Sequence, residues 1–402
     1  MQNYEDAAIH MQFNSIDFKV LTGNLEKVQK ALPLAPFSDD VLAFLNALSR
    51  KLMSEKMHSD IVTLGFWIRQ ASLINEKTKY DDINSRLGRG IAFHIAPSNV
   101  AINFAFSLVA GLLAGNANII RLPSKDFPQV NIIISAINQL LEESYTNILP
   151  YICIVKYPVN KEISDKLSSI CDVRIIWGGD KTIADLRSSA LPPRAYDITF
   201  ADRYSAAAIN ADEYLLIENK NKIATDFFND TYLNDQNACT SPSIIFWMGN
   251  KISEAKSIFW NNINKLVKEK YQLSAVQAIG KLSALYGASA NVSVSSANKF
   301  DNFITCVEIN EIPENLMDYK YNSGFFFEYN IDNLSEILPV CNNKFQTLTY
   351  FGLKQKDIES FFAEYKPQGI DRVVPMGSSM DFSLVWDGHD LIREMSRKIT
   401  IV

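Results

Sequence analysis

The chain has 402 residues, of which 47% are hydrophobic and 21% are charged, and its formal net charge is −6. At roughly 150 residues per domain, this length predicts two domains, and the composition is that of a folded protein rather than a disordered one. Lysine and arginine are spread along the chain without a basic block, which argues against a nucleic-acid partner.

The sequence contains no recognisable targeting or membrane signal. The first stretch, MQNYEDAAIHMQF, has acidic residues and no basic region ahead of a long apolar run, so we expect no signal peptide. The most apolar stretch, residues 100–115, is interrupted by Asn103 and Ser107 and is shorter than the ~20 residues that cross a bilayer. We interpret this stretch as a buried helix and expect a cytoplasmic protein without a membrane span.

Cysteine and histidine usage argues against several kinds of site. Five scattered cysteines without a CxxC pair predict neither a disulfide framework nor a zinc ribbon: Cys153, Cys171, Cys239, Cys306 and Cys341. Four histidines without an HExxH motif lead us to expect no bound metal: His10, His58, His94 and His389. The chain also lacks a P-loop and a GxSxG elbow, and Gly88-Arg89-Gly90 lacks the third glycine of a dinucleotide fingerprint.

The predicted elements begin with a mainly helical region over the first 85 residues, where Ser38 is a candidate N-cap. From about residue 88, short apolar runs alternate with amphipathic stretches. Strands are predicted at residues 90–95, 118–122, 152–155 and 173–177, and helices at residues 100–114, 130–141, 161–170 and 182–188. This alternation predicts a parallel sheet that is covered on both faces and is of the nucleotide-binding type.

The pattern restarts after residue 212 and predicts a second α/β domain. Helices are predicted at residues 223–232, 254–268, 283–288 and 331–339, and strands at residues 243–248, 325–329 and 347–351. We therefore divide the chain into residues 1–212, a helical N-terminal region with a nucleotide-binding domain; residues 213–372, the second domain; and residues 373–402, a closing segment.

The most informative loop is NDQNACTSPS, residues 234–243, in which Cys239 lies between a predicted helix and a predicted strand. An ionised cysteine is a good nucleophile, and nearby backbone N–H groups can lower its pKa. A buried structural thiol is the commoner outcome for a lone cysteine. Cys153 and Cys171 lie in apolar contexts, and we assign both to the core.

Three further stretches suit a ligand site, each with an ordinary structural explanation. In HIAPSNV, Asn99 can aim its amide at a developing oxyanion or simply cap a helix. In GNANIIRLPSK, Arg121 can hold a ribose or a phosphate or lie on the surface. The turn WGGD, which contains Gly178 and Gly179, lets a backbone approach a ligand or merely joins two elements. His94 and His389 are possible acid–base groups, but hydrogen-bonded structural histidines are commoner.

Taken in order, these stretches resemble the aldehyde dehydrogenase superfamily, and most closely its acyl-CoA reductase branch, the LuxC-type fatty-acid reductases of bacterial luminescence. The resemblance runs from about Gly88 to the end, where KFQTLTYFG and GIDRVVPMGSSMDFSLVWDGHDL look like the same branch. It implies an α/β, aldehyde-dehydrogenase-like fold with two Rossmann-type parallel sheets and a helical N-terminal region.

The resemblance also implies roles for individual residues. Cys239 takes the nucleophile position, in the domain of residues 213–372, and Asn99 forms half of the oxyanion hole. The cofactor contacts implied are Pro97, Ser98, Arg121, Pro123, Ser124, Gly178 and Gly179. The family carries a lysine where Arg121 stands, and an arginine suits the 2′-phosphate of NADPH.

The chain departs from the family pattern in two places. The Glu-Leu-Gly-Gly-Lys segment, whose glutamate activates water in hydrolytic aldehyde dehydrogenases, is missing from residues 198–204. The Glu-x-Phe-Gly-Pro contact to the nicotinamide ribose is unrecognisable near residues 321–325. The first departure suits an enzyme that must keep a thioester away from water, and the second leaves the nicotinamide contact unassigned.

The predicted activity is NADPH-dependent reduction of a long-chain fatty acyl thioester to an aldehyde through an acyl-cysteine intermediate. The acyl donor is a fatty acyl-CoA or an acyl-protein thioester, with an acyl-protein synthetase or an acyltransferase as a partner, and the chain is expected to form a homo-oligomer. Three alternatives stay open: a cysteine acyltransferase or thioesterase without reduction, a reductase of short acyl-CoAs or acyl phosphates, and a non-catalytic subunit.

Overall fold

The computed structural model describes residues 18–401, so the N-terminal stretch considered for targeting and His10 lie outside the described residues. The chain divides into two compact units. Unit 1 comprises Met1–Ala201 and Phe382–Val402, and unit 2 comprises Asp202–Asp381. The boundaries inferred from the sequence, after residues 212 and 372, differ from these by about ten residues on each side.

Unit 1 is built around a six-stranded sheet with helices packed on both faces. The six strands of this sheet are β1 (Lys19–Gly23), β3 (Ile91–Ile95), β4 (Ala117–Leu122), β5 (Ile152–Lys156), β6 (Val173–Trp177) and β7 (Tyr196–Phe200), and the short strand β2 (Arg86–Gly88) lies outside it. Its helices are α1 (Leu25–Lys30), α2 (Asp39–Met53), α3 (Ser59–Trp67), α4 (Gln70–Lys77), α5 (Asn103–Leu113), α6 (Pro128–Glu143), α7 (Lys161–Ser168) and α8 (Asp180–Arg187). Short 3-10 helices occupy Ile83–Ser85 and Leu149–Tyr151.

The order of the strands in this sheet reverses direction at β3. The order is β1-β5-β4-β3-β6-β7, and all neighbours are parallel except β1 and β5. The chain moves outward from β3 through β4 to β5 and then returns to β6 on the other side of β3. In open α/β sheets, ligands bind beyond the carboxyl ends of the strands at such a reversal. We therefore expect a cofactor site at the turns that follow β3, β4 and β6.

Unit 2 contains a seven-stranded sheet in the order β10-β11-β12-β9-β8-β13-β14, with only β10 antiparallel to its neighbour. Its strands are β8 (Tyr204–Asn210), β9 (Pro242–Met248), β10 (Val294–Phe300), β11 (Ile304–Ile309), β12 (Phe325–Asn330), β13 (Phe345–Phe351) and β14 (Arg372–Pro375). Its helices are α9 (Ala211–Leu216), α10 (Lys220–Thr231), α11 (Ile252–Lys270), α12 (Ala275–Asn291) and α13 (Gln355–Tyr365). Short 3-10 helices occupy Tyr232–Asn234, Leu316–Tyr319 and Leu334–Val340.

The C-terminal segment returns to unit 1 after β14. Its elements are β15 (Val385–Trp386), β16 (His389–Asp390), α14 (Leu391–Glu394) and β17 (Ser396–Lys398). Strand β17 pairs antiparallel with β2, and the buried Arg86 side chain donates to the Ser396 hydroxyl at 2.8 Å and to the Arg393 carbonyl at 2.6 Å. The closing segment inferred from the sequence is therefore divided, because β14 belongs to the sheet of unit 2.

Several elements differ from the sequence-based prediction. The region expected to be mainly helical, residues 1–85, also contains β1, and the strands β2, β7, β8, β10 and β11 were not predicted. Strand β8 lies in the middle of its sheet but carries the fully buried Ala206, Ala207 and Ala208, and alanine has a low strand propensity. Among the described residues, no helix is both long and apolar enough to cross a bilayer.

Two helical glycines provide a matched test of this packing. A methyl group at Gly111, in α5, would lie 1.8 Å from Asn118 Oδ1 on β4, whereas one at Gly287, in α12, would meet no atom within 4 Å. We expect Gly111→Ala to destabilise the protein by roughly 1–3 kcal/mol, the usual cost of overpacking. Gly287→Ala should stabilise it by about 0.5–1 kcal/mol, because alanine is the better helix former.

Thermal unfolding of both variants checks the prediction. The expected melting temperatures fall on opposite sides of the wild-type value. A Gly111→Ala variant as stable as Gly287→Ala would contradict the close packing of α5 on β4.

Candidate active site

The turn after β3 carries Pro97, Ser98 and Asn99. Asn99 is exposed, and helix α5 begins only at Asn103 with Ile102 as its N-cap residue. The capping explanation for Asn99 is therefore wrong, because three residues separate its side chain from the first turn of the helix. Its amide lies at the carboxyl edge of the sheet of unit 1, beside the strand reversal.

The turn after β6 leaves space next to its backbone. Gly179 is the N-cap residue of α8 and is exposed, and a methyl group built on it would meet no atom within 4 Å. Gly178 donates its N–H to the Phe200 carbonyl at 3.2 Å, which ties the turn to the end of β7. The amino end of α8 offers backbone N–H groups and a partial positive charge, and both suit a phosphate.

Arg121 is the penultimate residue of β4, next to the reversal. Its guanidinium lies 4.8 Å from the centroid of the Tyr157 ring, and Nη2 donates to the Tyr157 carbonyl at 3.5 Å. Its Nε is buried and has no hydrogen-bond partner among the described residues. Pro123 is half-buried and Ser124 exposed in the following turn. The candidates identified from the sequence thus follow three adjacent strands, β4, β3 and β6, and all of their turns lie at one edge of one sheet.

His94, on β3, belongs to a buried hydrogen-bond chain. Trp177 donates to the Ser107 hydroxyl at 3.0 Å, Ser107 lies 2.7 Å from His94 Nδ1, and His94 Nε2 lies 3.0 Å from Asn118 Oδ1. Because Asn118 Nδ2 donates to two backbone carbonyls, Oδ1 is the acceptor, and His94 therefore carries its proton on Nε2. Burial lowers the pKa of His94 to about 4. This imidazole is neutral and structural.

His389 also has partners within unit 1. Its Nδ1 lies 3.0 Å from the Glu394 carboxylate, and its ring packs edge-on against Phe200. The contacts of His94 therefore fit the structural interpretation, whereas those of His389 are compatible with either role.

Cys239 lies in unit 2, in the loop between the 3-10 turn Tyr232–Asn234 and β9. It is half-buried, whereas Cys153, Cys171 and Cys306 are fully buried. Burial raises the pKa of Cys153 and of Cys171 to about 12, and the half-buried Cys341 has a pKa raised to about 12 for the same reason. Burial thus keeps these thiols protonated and unreactive, which leaves Cys239 as the best candidate nucleophile.

The side-chain amide of Gln236 fixes the loop that carries Cys239. Its Nε2 donates to the carbonyls of Pro242 at 2.9 Å and Phe325 at 3.0 Å. Its Oε1 accepts the N–H groups of Gly324 at 2.9 Å and Phe325 at 3.3 Å. The amide thereby uses its full hydrogen-bonding capacity and bridges the starts of β9 and β12. The segment in which the nicotinamide-ribose motif was unrecognisable binds this loop instead.

The neighbouring Asp235 adds a second anchor. Asp235 and Gln236 both have left-handed backbones, with φ of 55° and 56°. The Asp235 carboxylate accepts hydrogen bonds from Tyr271, from Ser323 at 2.9 Å and from Gln277 at 2.5 Å. These contacts hold a backbone conformation that non-glycine residues rarely adopt.

A third contact ties Cys239 itself to the sheet. The Ser205 hydroxyl, near the start of β8, donates to the Cys239 carbonyl at 2.7 Å and accepts the Thr347 N–H of β13 at 3.1 Å. The loop therefore lies across the amino ends of the four neighbouring strands β12, β9, β8 and β13. Sequence reasoning did not select Ser205, Asp235 or Gln236, although the polar run before Cys239 was a signal for the last two.

The predicted site residues thus form two groups. The cofactor candidates and Asn99 lie at the carboxyl edge of the sheet of unit 1, and Cys239 lies at the amino edge of the sheet of unit 2. Among residues 18–401, no three histidine, cysteine or acidic side chains form a group that could hold a metal ion.

Comparison with known proteins adds a family and a fold. The family model described as acyl-CoA reductase (LuxC) matches residues 26–398. The chain is similar to the long-chain acyl-protein thioester reductases of Photorhabdus laumondii subsp. laumondii, with 25% identity over 328 residues, and of Aliivibrio fischeri, with 21% identity over 330 residues. These matches cover 78% of the chain but only 63% and 64% of the two relatives, so the chain spans less than two thirds of their length.

Solved structures of similar fold are aldehyde dehydrogenases. A mutant form of Thermus thermophilus 1-pyrroline-5-carboxylate dehydrogenase has a TM-score of 0.62 at 14% identity and covers 92% of this chain and 82% of its own. Aldehyde dehydrogenase 21 of Physcomitrella patens has a TM-score of 0.60 at 13% identity and covers 89% and 83%. The predicted aldehyde-dehydrogenase-like α/β fold is confirmed.

The neutral state of His94 predicts how stability depends on pH. The unfolded imidazole binds a proton near its ordinary pKa of 6.5, whereas the folded one binds it only near 4, so the unfolded state holds more protons in between. The contribution of His94 to stability is therefore full above pH 6.5 and is lost as the pH falls toward 4. Between pH 7 and pH 5 we expect a loss of roughly 2 kcal/mol in the free energy of unfolding.

Urea unfolding of wild type and His94→Gln at both pH values isolates this term. Other titrating groups act alike in the two proteins and cancel in the difference. A difference in unfolding free energy that is the same at pH 7 and pH 5 would exclude a neutral, buried imidazole.

Proposed function

The chain belongs to the acyl-CoA reductase (LuxC) family, and on that premise we propose that it reduces a long-chain fatty acyl thioester to an aldehyde with NADPH. The observation that carries the proposal is Cys239, a half-buried thiol in a loop that three side chains hold at the amino edge of a sheet. The similar reductases named above are described as acting on long-chain acyl-protein thioesters, and we propose an acyl-protein thioester or a fatty acyl-CoA as the acyl donor.

In the proposed reaction, the thiolate of Cys239 attacks the carbonyl carbon of the donor. A carbon–sulfur bond to Cys239 forms, the bond to the donor sulfur breaks, and the donor leaves as a thiol. Asn99 donates its amide N–H to the carbonyl oxygen as negative charge develops there, and the backbone N–H of Cys239 is the second donor. Cys239 then holds the acyl group as a thioester, and its thiolate is a good leaving group when the acyl carbon is reduced.

The residues at the carboxyl edge of the sheet of unit 1 fit a dinucleotide. We propose that Gly178, Gly179 and the amino end of α8 hold the pyrophosphate, and that Ser124 holds the adenosine ribose, with Pro97, Ser98 and Pro123 lining the adjoining turns. The open space at Gly179 and the buried, unpartnered Nε of Arg121 support this fit. When bound, NADPH supplies the hydride that reduces the acyl carbon.

Arg121 carries the proposed choice of NADPH over NADH. It is the penultimate residue of β4, the strand after which dinucleotide-binding folds recognise the adenosine ribose. A guanidinium there matches the 2′-phosphate as a charge-assisted donor, whereas NADH offers only a hydroxyl. The proposed partners are an acyl-protein synthetase or an acyltransferase that delivers the acyl group, and a second copy of this chain in a homo-oligomer.

The proposed nucleophile and oxyanion donor can be tested by acyl transfer to the protein. Cys239→Ala should form no acyl-enzyme because it lacks the attacking sulfur. Asn99→Ala should lose about 10²–10³ in rate, the usual effect of removing one oxyanion donor. Incubation with radiolabelled acyl-CoA and counting of the protein measures both variants, with Cys341→Ala as the control for another half-buried thiol.

Label that persists in Cys239→Ala would refute the assignment of the nucleophile. Acyl-enzyme formation without acyl-dependent loss of NADPH absorbance would favour the acyltransferase or thioesterase alternative.

The proposed role of Arg121 can be tested by the KM values for the two cofactors. Arg121→Gln should raise the KM for NADPH by about 10- to 100-fold, the range for losing a charged hydrogen bond, and leave the KM for NADH within about twofold. Arg50→Gln, an exposed arginine on α2, is the control and should change neither value. Equal losses with both cofactors in Arg121→Gln would show that Arg121 does not read the 2′-phosphate.

A further inference from the structure

A segment distant in sequence from Cys239 contacts the loop that contains it. Residues 376–381 follow β14, and the Met380 sulfur accepts a hydrogen bond from the Thr240 hydroxyl at 3.1 Å. Asn234 also donates to this sulfur, at a longer distance of 3.9 Å. Thr240 directly follows Cys239, and its side chain is only 3% exposed. The thioether of Met380 is thus the hydrogen-bond partner of the buried Thr240 hydroxyl, on the residue next to Cys239.

A buried carboxylate holds this segment in place. Asp230, near the end of α10, is 1% exposed and accepts the N–H groups of Gly377 at 2.6 Å and Ser379 at 2.9 Å. Gly377 has φ of +93°, and a methyl group on it would lie 2.7 Å from Asp226 Cβ, so the close approach requires glycine. Arg372 binds the same segment by donating to the Ser379 carbonyl at 2.9 Å.

Burying the charged carboxylate of Asp230 would be unfavourable without hydrogen-bond partners. Burial raises the pKa of Asp230 to about 6, and two backbone N–H groups compensate its charge. Burying a charge without good partners is costly, so the position of Met380 is specified at a cost in stability. Such a cost is expected where a segment must be held in one place for function.

The chemical nature of sulfur suggests what Met380 does. A buried hydroxyl needs a hydrogen-bond partner, and water is the usual substitute when no protein group supplies one. A thioether is a weak acceptor on an apolar side chain and has no proton to give. It therefore satisfies Thr240, the residue that directly follows Cys239, without a water molecule and without a group that could bind one.

We propose that Met380, held by Asp230, is a positioning residue that occupies the Thr240 hydroxyl and thereby protects the acyl–Cys239 thioester from hydrolysis. This inference rests on the proposed function, since it requires an acyl group on Cys239. In the side reaction, water adds to the thioester carbonyl, the carbon–sulfur bond breaks, and a fatty acid and the Cys239 thiol are released. Met380 acts through Thr240 and takes no part in the bond changes.

The test measures hydrolysis without the reductive step. The 402-residue chain is loaded with p-nitrophenyl octanoate. The burst of p-nitrophenol reports acylation of Cys239, and octanoic acid release reports hydrolysis of the thioester. Met380→Leu keeps the volume but removes the acceptor, so octanoic acid release should rise about three- to tenfold, the effect expected of one hydrogen bond. Met248→Leu, at the opposite end of β9, is the matched control.

Substitutions at Thr240 distinguish the proposed role of Met380 from a merely structural one, because only the proposed role makes the hydrolysis rate depend on the Thr240 hydroxyl. Thr240→Val has no hydroxyl, so adding it to Met380→Leu should return hydrolysis to the wild-type rate, whereas adding Thr240→Ser should leave the increase in place. Asp230→Asn leaves one backbone N–H without an acceptor and should raise hydrolysis as Met380→Leu does, with no further increase in the double variant.

Two results would overturn the proposal. One is hydrolysis in Met380→Leu within about twofold of the Met248→Leu control, in protein with wild-type thermal unfolding. The other is an equal increase in Met380→Leu and in Met380→Leu combined with Thr240→Val. The reductase proposal fails on a different readout, namely no acyl-dependent NADPH oxidation, and an octanoyl thioester on Cys239 tests Met380 even in that case.

Discussion

The backbone of the Cys239 loop is the constraint on which the proposed chemistry depends. Asp235 and Gln236 are consecutive non-glycine residues with left-handed backbones, and each such residue costs roughly 1–2 kcal/mol. The chain accepts this cost because the Gln236 amide and the Asp235 carboxylate bind groups from several other elements. A nucleophile must be held within a fraction of an ångström of its attack geometry, and a loop with several independent anchors meets that requirement.

The two sheets use opposite edges for the groups that the proposed reaction needs. In unit 1 the candidates for cofactor binding follow β3, β4 and β6 at the carboxyl edge, as is usual for open α/β sheets. In unit 2 the loop of Cys239 precedes β9 and lies at the amino edge. A helix dipole and backbone N–H groups at the first edge suit phosphates, whereas the second edge supplies side chains and carbonyls that fix a loop.

The sequence was sufficient for the parts of the fold that depend on local pattern. Strands such as β6 are short runs of large apolar residues between polar turns, and their bounds were predicted to within a residue or two. Strand β8 was missed because its alanines have no strand preference of their own and are selected by their place in the sheet. The hydrogen bonds of Gln236 to Phe325 and of Met380 to Thr240 were equally unpredictable, because these partners are 89 and 140 residues apart along the chain.

In the proposed reaction the thioester on Cys239 must survive until hydride reaches it, and we propose that two features of the chain favour its survival. The first is a missing group: the stretch 198–204 lacks the glutamate with which hydrolytic relatives activate water. The second is a group that is present. The Met380 sulfur accepts a hydrogen bond from the hydroxyl of Thr240, which directly follows Cys239 in the sequence. Removing a base slows hydrolysis only if no other polar group binds water in its place. In the proposed mechanism, an apolar acceptor for the hydroxyl of Thr240, the residue after Cys239, therefore complements the missing glutamate.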